Sequence, residues 1–236
     1  MNTILHKSST RGVSQGISWL KSYYSFSFAN YYNPERIHFG MLRVLNDDII
    51  APGAGFGMHP HENMEIISIP LSGELKHQDN LGNQAIITKG DVQVMSAGKG
   101  IFHSELNPHP HREGQFLQIW IFPKERNIAP RYAYKTFSAS DFENRWNTIV
   151  APNNPKALWI NQEAWLQIGK FSANTFPFYQ FNRSENGVYL FVIDGKIKLN
   201  DIELSTRDAL GIWQTNQFSF QTLSDAEILL IEVPMH

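Results

Sequence analysis

Between residues 37 and 122 the chain is a train of short apolar segments that alternate with polar positions and are cut by turn residues. Residues 40–45 alternate and run into Asn46-Asp47-Asp48, which reads as a turn, and residues 64–71 form a longer apolar segment closed by Ser72-Gly73. Residues 74–79 and 84–88 flank Asn80-Leu81-Gly82-Asn83, a connection with hairpin chemistry. Lys89-Gly90-Asp91 then turns the chain into residues 92–95, and residues 118–122 close the set. Strands at this spacing, with no long helix between them, predict an antiparallel sandwich or barrel.

Past this point Pro123, Pro130, Pro152 and Pro155 punctuate the chain. Residues 126–156 read as a connecting segment in which Ser140-Asp141-Phe142-Glu143 caps one short helix. Strand-like segments resume at residues 165–171, 188–193, 196–199, 209–213, 217–222 and 227–233. The second half weakly echoes the first: residues 63–76 can be laid on residues 185–198, each an apolar strand, a Gly turn and a return strand. The expected fold is all-β, two antiparallel barrels of jelly-roll type in tandem, over residues 1–125 and 157–236. That alignment places Phe181 and Arg183 where His59 and His61 stand, so the second barrel is expected to lack metal ligands.

Composition narrows the functional classes. Aromatic residues make up 13% of the chain, which favours strands and their packed faces. A net charge of −2 provides no basic field, which argues against direct nucleic-acid binding. The absence of cysteine excludes disulfides, thiolate metal sites and thiol catalysis, and suits a cytoplasmic address. The N-terminus is too polar for a secretory signal, and no apolar run is long enough to span a bilayer.

The candidate chemistry lies in two pairs. His59-Pro60-His61 and His103-Ser104-Glu105 each place two side chains two residues apart, hence on one face of an extended chain. Two such pairs on neighbouring strands can supply four ligands to one ion. Imidazoles with one carboxylate suit Fe, Mn, Co, Ni, Cu or Zn rather than Mg or Ca. Glu65 shares the parity of His59 and His61 and rivals Glu105 as fourth ligand; otherwise it would orient an imidazole.

The flanks of these pairs resemble the two cupin motifs, from Gly53 through Glu65 and from Gly90 through Gly98, His103 and Asn107, with Ser96 where proline is usual. Trp19-Leu20-Lys21-Ser22, the run Phe26 through Arg36, Leu42 through Asp48, His77-Gln78-Asp79-Asn80 and Met95 through Glu105 resemble the pirin branch in particular. The resemblance is specific over residues 19–122 and only architectural beyond. It implies a bicupin whose N-terminal barrel holds one divalent transition metal, Fe(II) first, on His59, His61, His103 and Glu105. Bacterial pirins resemble quercetin 2,3-dioxygenases in activity, which implies a flavonol-like aromatic substrate, dioxygen, and Glu105 as catalytic base. The animal protein is a nuclear, iron-dependent coregulator of transcription, so the alternative implication is a non-enzymatic metal or redox sensor read by a protein partner. Pirins also imply a monomer. Two departures bear on the pocket: Tyr23-Tyr24 replaces a common Arg-His, and Glu62 replaces a common Arg or Asp.

Other histidines carry plainer expectations. His109-Pro110-His111, between Pro108 and Arg112-Glu113-Gly114, reads as a solvated loop. His77 reads as a strand residue satisfied locally, and His6 and His38 as surface or boundary residues. Lys99 reads as exposed, Asp79, Asn80 and Asn83 as turn formers, and Phe26 and Phe28 as core.

Overall fold

The computed structural model describes residues 1–236, and strands dominate it; its only helices are three-residue 3-10 turns at Ser8–Thr10 and Ala139–Asp141. In the N-terminal half a seven-stranded antiparallel sheet faces a four-stranded one. The larger sheet runs in the order Arg131–Thr136, Asp91–Ser96, Glu65–Ser72, Gly114–Ile121, Leu42–Ile50, Leu20–Tyr24 and Gly12–Val13. The smaller runs Gly55–His61, Ile101–Leu106, Glu74–Asp79 and Gln84–Thr88. The C-terminal half repeats the plan, with a six-stranded sheet opposed by one three-stranded and one two-stranded sheet.

Side-chain alternation explains how these layers stack. Along Gly114–Ile121, Phe116, Gln118 and Trp120 turn toward the small sheet, whereas Leu117, Ile119 and Ile121 turn the other way. Along Asn186–Asp194, Val188, Leu190 and Val192 enter the C-terminal interior while Tyr189, Phe191 and Ile193 leave it. The outward sets meet. The largest apolar cluster, 27 buried residues, therefore lies between the two big sheets rather than inside either half. An apolar interface of this size couples the halves mechanically.

The chain passes between the two halves twice. The strand Asn2–His6 adds to the C-terminal sheet against Ala209–Trp213, and the segment read as a connection contributes Arg131–Thr136 to the N-terminal sheet and Trp146–Val150 to the C-terminal one. The helix expected at residues 140–143 is the 3-10 turn Ala139–Asp141, with Ser138 and Asp141 closing a capping box. The hairpin of Glu74–Asp79 and Gln84–Thr88 forms as expected, with Glu74 opposite Thr88.

Asn46-Asp47-Asp48 requires a correction. It is not a turn but the middle of the strand Leu42–Ile50. The two aspartates have partners that override their turn chemistry. Asp47 accepts from Arg11, Gln115 and, across the interface, Arg207, while Asp48 accepts from Ser22.

Candidate metal centre

The interior of the N-terminal half is layered. Leu20, Ile50, Leu75, Ile87 and Phe116 fill one end, and Ile66, Met95, Ala97 and Ile101 the other. Between them lies a polar layer, because on each contributing strand an apolar position is followed two residues on by a polar one: Ile66 by Ser68, Phe116 by Gln118, Leu75 by His77, Ile101 by His103.

His59 and His61 stand on the edge strand Gly55–His61, paired with Ile101–Leu106 so that His59 faces His103 and His61 faces Ile101. An edge position lets Pro60 interrupt the ladder without stranding a partner, and Pro60 points outward and is exposed. The register slips between His103 and Glu105, a bulge of the kind that re-aims side chains beside functional sites. The ring centroids of His59, His61 and His103 lie 4.5 to 5.0 Å apart, and one donor nitrogen from each falls within 4.8 Å of the others. His59 Nδ1 is 2.7 Å from the Gly57 carbonyl, which makes Nδ1 the protonated nitrogen and leaves the Nε2 lone pair free. Burial, and then the neighbouring His59, pull His61 down to about 4; burial and the surrounding His59, His61 and His77 pull His103 down to about 2. Both are neutral donors at physiological pH. His103 is 1% exposed, and neither of its ring nitrogens has a partner.

Glu105 is buried behind His103. Its donor oxygen groups with His103 and His77, whereas the three histidines His59, His61 and His103 form the other group. The structure thus brings the four predicted side chains into two overlapping sets joined at His103. Ser68 Oγ and Gln93 Nε2 donate to Glu105 Oε1 at 2.9 and 2.8 Å, and Gln118 Nε2 donates to Oε2 at 2.5 Å. Burial pushes the carboxyl above the usual carboxylate range, against the hydrogen bond from Ser68.

Glu65 lies elsewhere. Its carboxylate accepts from Ser96 Oγ at 2.8 Å and from the Asn161 backbone at 3.1 Å, on the interdomain side of the sheet, and it touches no imidazole of the cluster. Neither expectation for Glu65 holds. Asn63, with φ of 48°, breaks the extended chain after His61 and sends Glu65 into the opposite sheet, which resets the parity. His109 Nδ1 accepts the Arg112 backbone N–H at 2.9 Å, which ties the His109-Pro110-His111 loop to itself. Lys99 and His38 are exposed, Asp79 caps its turn through the Leu81 and Asn83 N–H groups, and Phe26 is core. Phe28 is half-buried against Trp120. His6 departs from expectation: it is 6% exposed and bonded to Tyr189 between the halves.

The pirin family profile matches residues 6–121, and a profile described as the quercetinase C-terminal cupin domain matches residues 148–233. A putative quercetin 2,3-dioxygenase of Pasteurella multocida is 39% identical over 94% of this chain and 96% of its own. The chain belongs to the pirin family. Its two sheet pairs are cupin domains, open sandwiches of the jelly-roll plan rather than continuous closed barrels. The quercetin 2,3-dioxygenase of Escherichia coli strain K12 is 38% identical over 98% of both chains. A bacterial pirin from Escherichia coli, solved in complex with nickel(II), superposes with a TM-score of 0.93 at 37% identity over 99% of both chains.

The donor set fits a divalent transition metal on this structure's own evidence: neutral imidazoles converge, a buried carboxylate stands behind them, and His103 lacks any protein partner. Both groups of potential metal-holding side chains lie in the N-terminal domain. In the C-terminal domain Phe181 is part of an apolar core.

Proposed function

We propose that this pirin is a metal-dependent dioxygenase of the quercetin 2,3-dioxygenase type, acting on a flavonol or similar enol-bearing ring. The observation that carries the reading is the convergence of the His59, His61 and His103 donors at the open edge of the cupin, with Glu105 buried behind them. The names of the relatives support the substrate class. In this reading His59, His61, His103 and Glu105 hold one divalent ion, Fe(II) by preference, and the protein works as a cytoplasmic monomer. The ion, when bound, supplies Lewis acidity toward the substrate and a redox partner for dioxygen.

The chain's residues do the rest. Glu105 accepts the substrate hydroxyl proton, a role suited to a carboxyl whose burial strengthens its hold on a proton. Ser68 Oγ lies 2.9 Å from Glu105 Oε1 and 3.0 Å from Gln118 Oε1. Its hydroxyl can therefore turn its donation to Gln118 and accept from a protonated Glu105, so no buried group is stranded. The Trp120 ring, 4.9 Å from His61 and packed edge-on to Phe28, holds that imidazole in place. The test is quercetin turnover by the metal-loaded protein with and without air. Oxygen uptake with carbon monoxide release, abolished by His103→Ala, is the expected result; absence of both removes the proposal.

One observation favours a second reading, a metal-state sensor read by a protein partner. Met58 and Phe102, on the two ligand-bearing strands, are 57% and 49% exposed and present apolar surface beside the centre. A cycle of metal reduction and oxidation that leaves partner affinity unchanged would remove that reading.

A further inference from the structure

We propose that His77 belongs to the metal centre as a fifth donor, so that the cupin offers two overlapping positions for one ion: an outer one on His59, His61, His103 and Glu105, and an inner one on His77, His103 and Glu105. The inference rests on the metal-centre reading above and extends it to a residue whose sequence context suggested only local hydrogen bonding.

Three observations assign His77 this role. It is completely buried, and its Nδ1 has no hydrogen-bond partner, a costly arrangement for a polar atom unless a ligand completes it. Its other nitrogen, Nε2, lies 3.2 Å from Asp79 Oδ2, so the carboxylate fixes the proton on Nε2 and exposes the Nδ1 lone pair. Ligating histidines are oriented in this way, their second nitrogen donating to a carboxylate or a carbonyl, as His59 does to Gly57. Finally, the ring cannot turn aside. It stacks on Tyr132 at 4.1 Å with 8° between the planes, and Tyr132 is itself tied through its hydroxyl to Gln93, one of the donors to Glu105. Held so, His77, His103 and Glu105 bring their donor atoms within 4.8 Å of one another.

His103 is common to both positions, and it is the side chain with two unpartnered nitrogens. An ion at the outer position would meet the half-buried histidines near the mouth; at the inner one it would have His77 in place of His59 and His61 while keeping His103 and Glu105.

Background dependence tests this. Cobalt(II) is titrated into the full-length chain, stripped beforehand with a chelator, and affinity and visible spectrum are read for the parent, His61→Ala, His77→Gln and the double variant. His77→Gln keeps a hydrogen-bonding side chain beside Asp79, and its thermal unfolding reports whether it folds; if it does not, Asp79→Asn replaces it. In the parent, His77→Gln changes affinity little, because His59, His61, His103 and Glu105 are all intact. His61→Ala still binds one cobalt with an altered spectrum. In that background the same His77→Gln substitution weakens binding on the order of 100-fold, at the upper range for loss of even an indirect ligand partner. An equal factor in both backgrounds, no effect in either, or a His61→Ala protein that takes up no cobalt overturns the inner position while the outer one stands. A parent that binds no cobalt overturns the metal centre altogether. Tight cobalt binding without oxygenase activity removes only the proposed reaction.

Discussion

Phe191→Ala tests whether the metal-bearing domain and its C-terminal neighbour are one cooperative body. Phe191 is fully buried and projects from Asn186–Asp194 into the cluster between the large sheets, whereas its neighbour Val192 enters the C-terminal interior. Removing a buried phenyl ring from a packed core costs about 3–5 kcal/mol in transfer and cavity terms. For a chain of this length each kcal/mol lowers the melting temperature by roughly 2–4 °C, which gives a fall of roughly 6–20 °C. The assay is thermal unfolding of the nickel-loaded protein, with sheet content followed by circular dichroism and nickel release by a colorimetric chelator. If the interface couples the domains, both signals move together in one lowered transition, although no metal-site residue has changed. Val192→Ala gives a smaller shift of the same kind. The reasoning fails if Phe191→Ala lowers the sheet signal while nickel release stays at the parent temperature, because the domains then melt independently.

Three further outcomes follow. Glu65→Gln leaves nickel affinity at the parent value, whereas Glu105→Gln lowers it by roughly tenfold or more, because only Glu105 shares a cluster with His103; equal losses in a chelator competition refute that assignment. Burial, with Arg36 nearby, lowers His6 to about 4, so between the unfolded value near 6.5 and about 4 the unfolded state binds the extra proton. Stability is thus lost as pH falls through that window, by about 3 kcal/mol, and His6→Gln flattens the curve measured by denaturant unfolding. Gly55→Ala, at a φ of 155° with its Cβ 2.3 Å from the Glu105 carbonyl, costs about 1–3 kcal/mol and weakens metal binding by forcing the ligand strands apart; parent-like values in both assays refute the fit.

The parts of this fold that sequence conveys are those decided locally. Alternation in residues 40–45, the Gly-containing hairpin connection and two histidine-containing pairs at a spacing of two are all properties of a few consecutive residues. What escapes is decided at a distance. Asn46-Asp47-Asp48 has turn composition, and only Ser22, Arg11, Gln115 and Arg207 make a strand of it. The strand Asn2–His6 has no local mark of its partner, Ala209–Trp213, some two hundred residues away. His77 looks like any strand histidine until Tyr132, from the connecting segment, is seen stacked upon it. Glu65 misleads for a definite reason: parity arguments hold only along unbroken extended chain, and Asn63 breaks it.

The two domains also show what separates a buried polar site that holds its own structure from one that awaits a ligand. Glu232 in the C-terminal domain is as buried as any group in the metal centre. Yet it accepts from the Asn182 and Arg183 backbone N–H groups, the Asn182 and Asn186 side-chain amides and the Tyr179 hydroxyl, at 2.7 to 3.0 Å. Five donors fill its acceptor sites, so the carboxylate clamps the residue 182–186 loop and has nothing left to offer an ion, whereas Glu105 takes only three, from Ser68, Gln93 and Gln118. In the N-terminal domain the opposite holds: His77 and His103 together keep three buried nitrogens unpartnered. Leaving such atoms bare costs about 1–3 kcal/mol each, and a bound ion would complete them. By that criterion the Glu232 carboxylate is a structural clamp, whereas the unpartnered nitrogens of His77 and His103 suit a ligand.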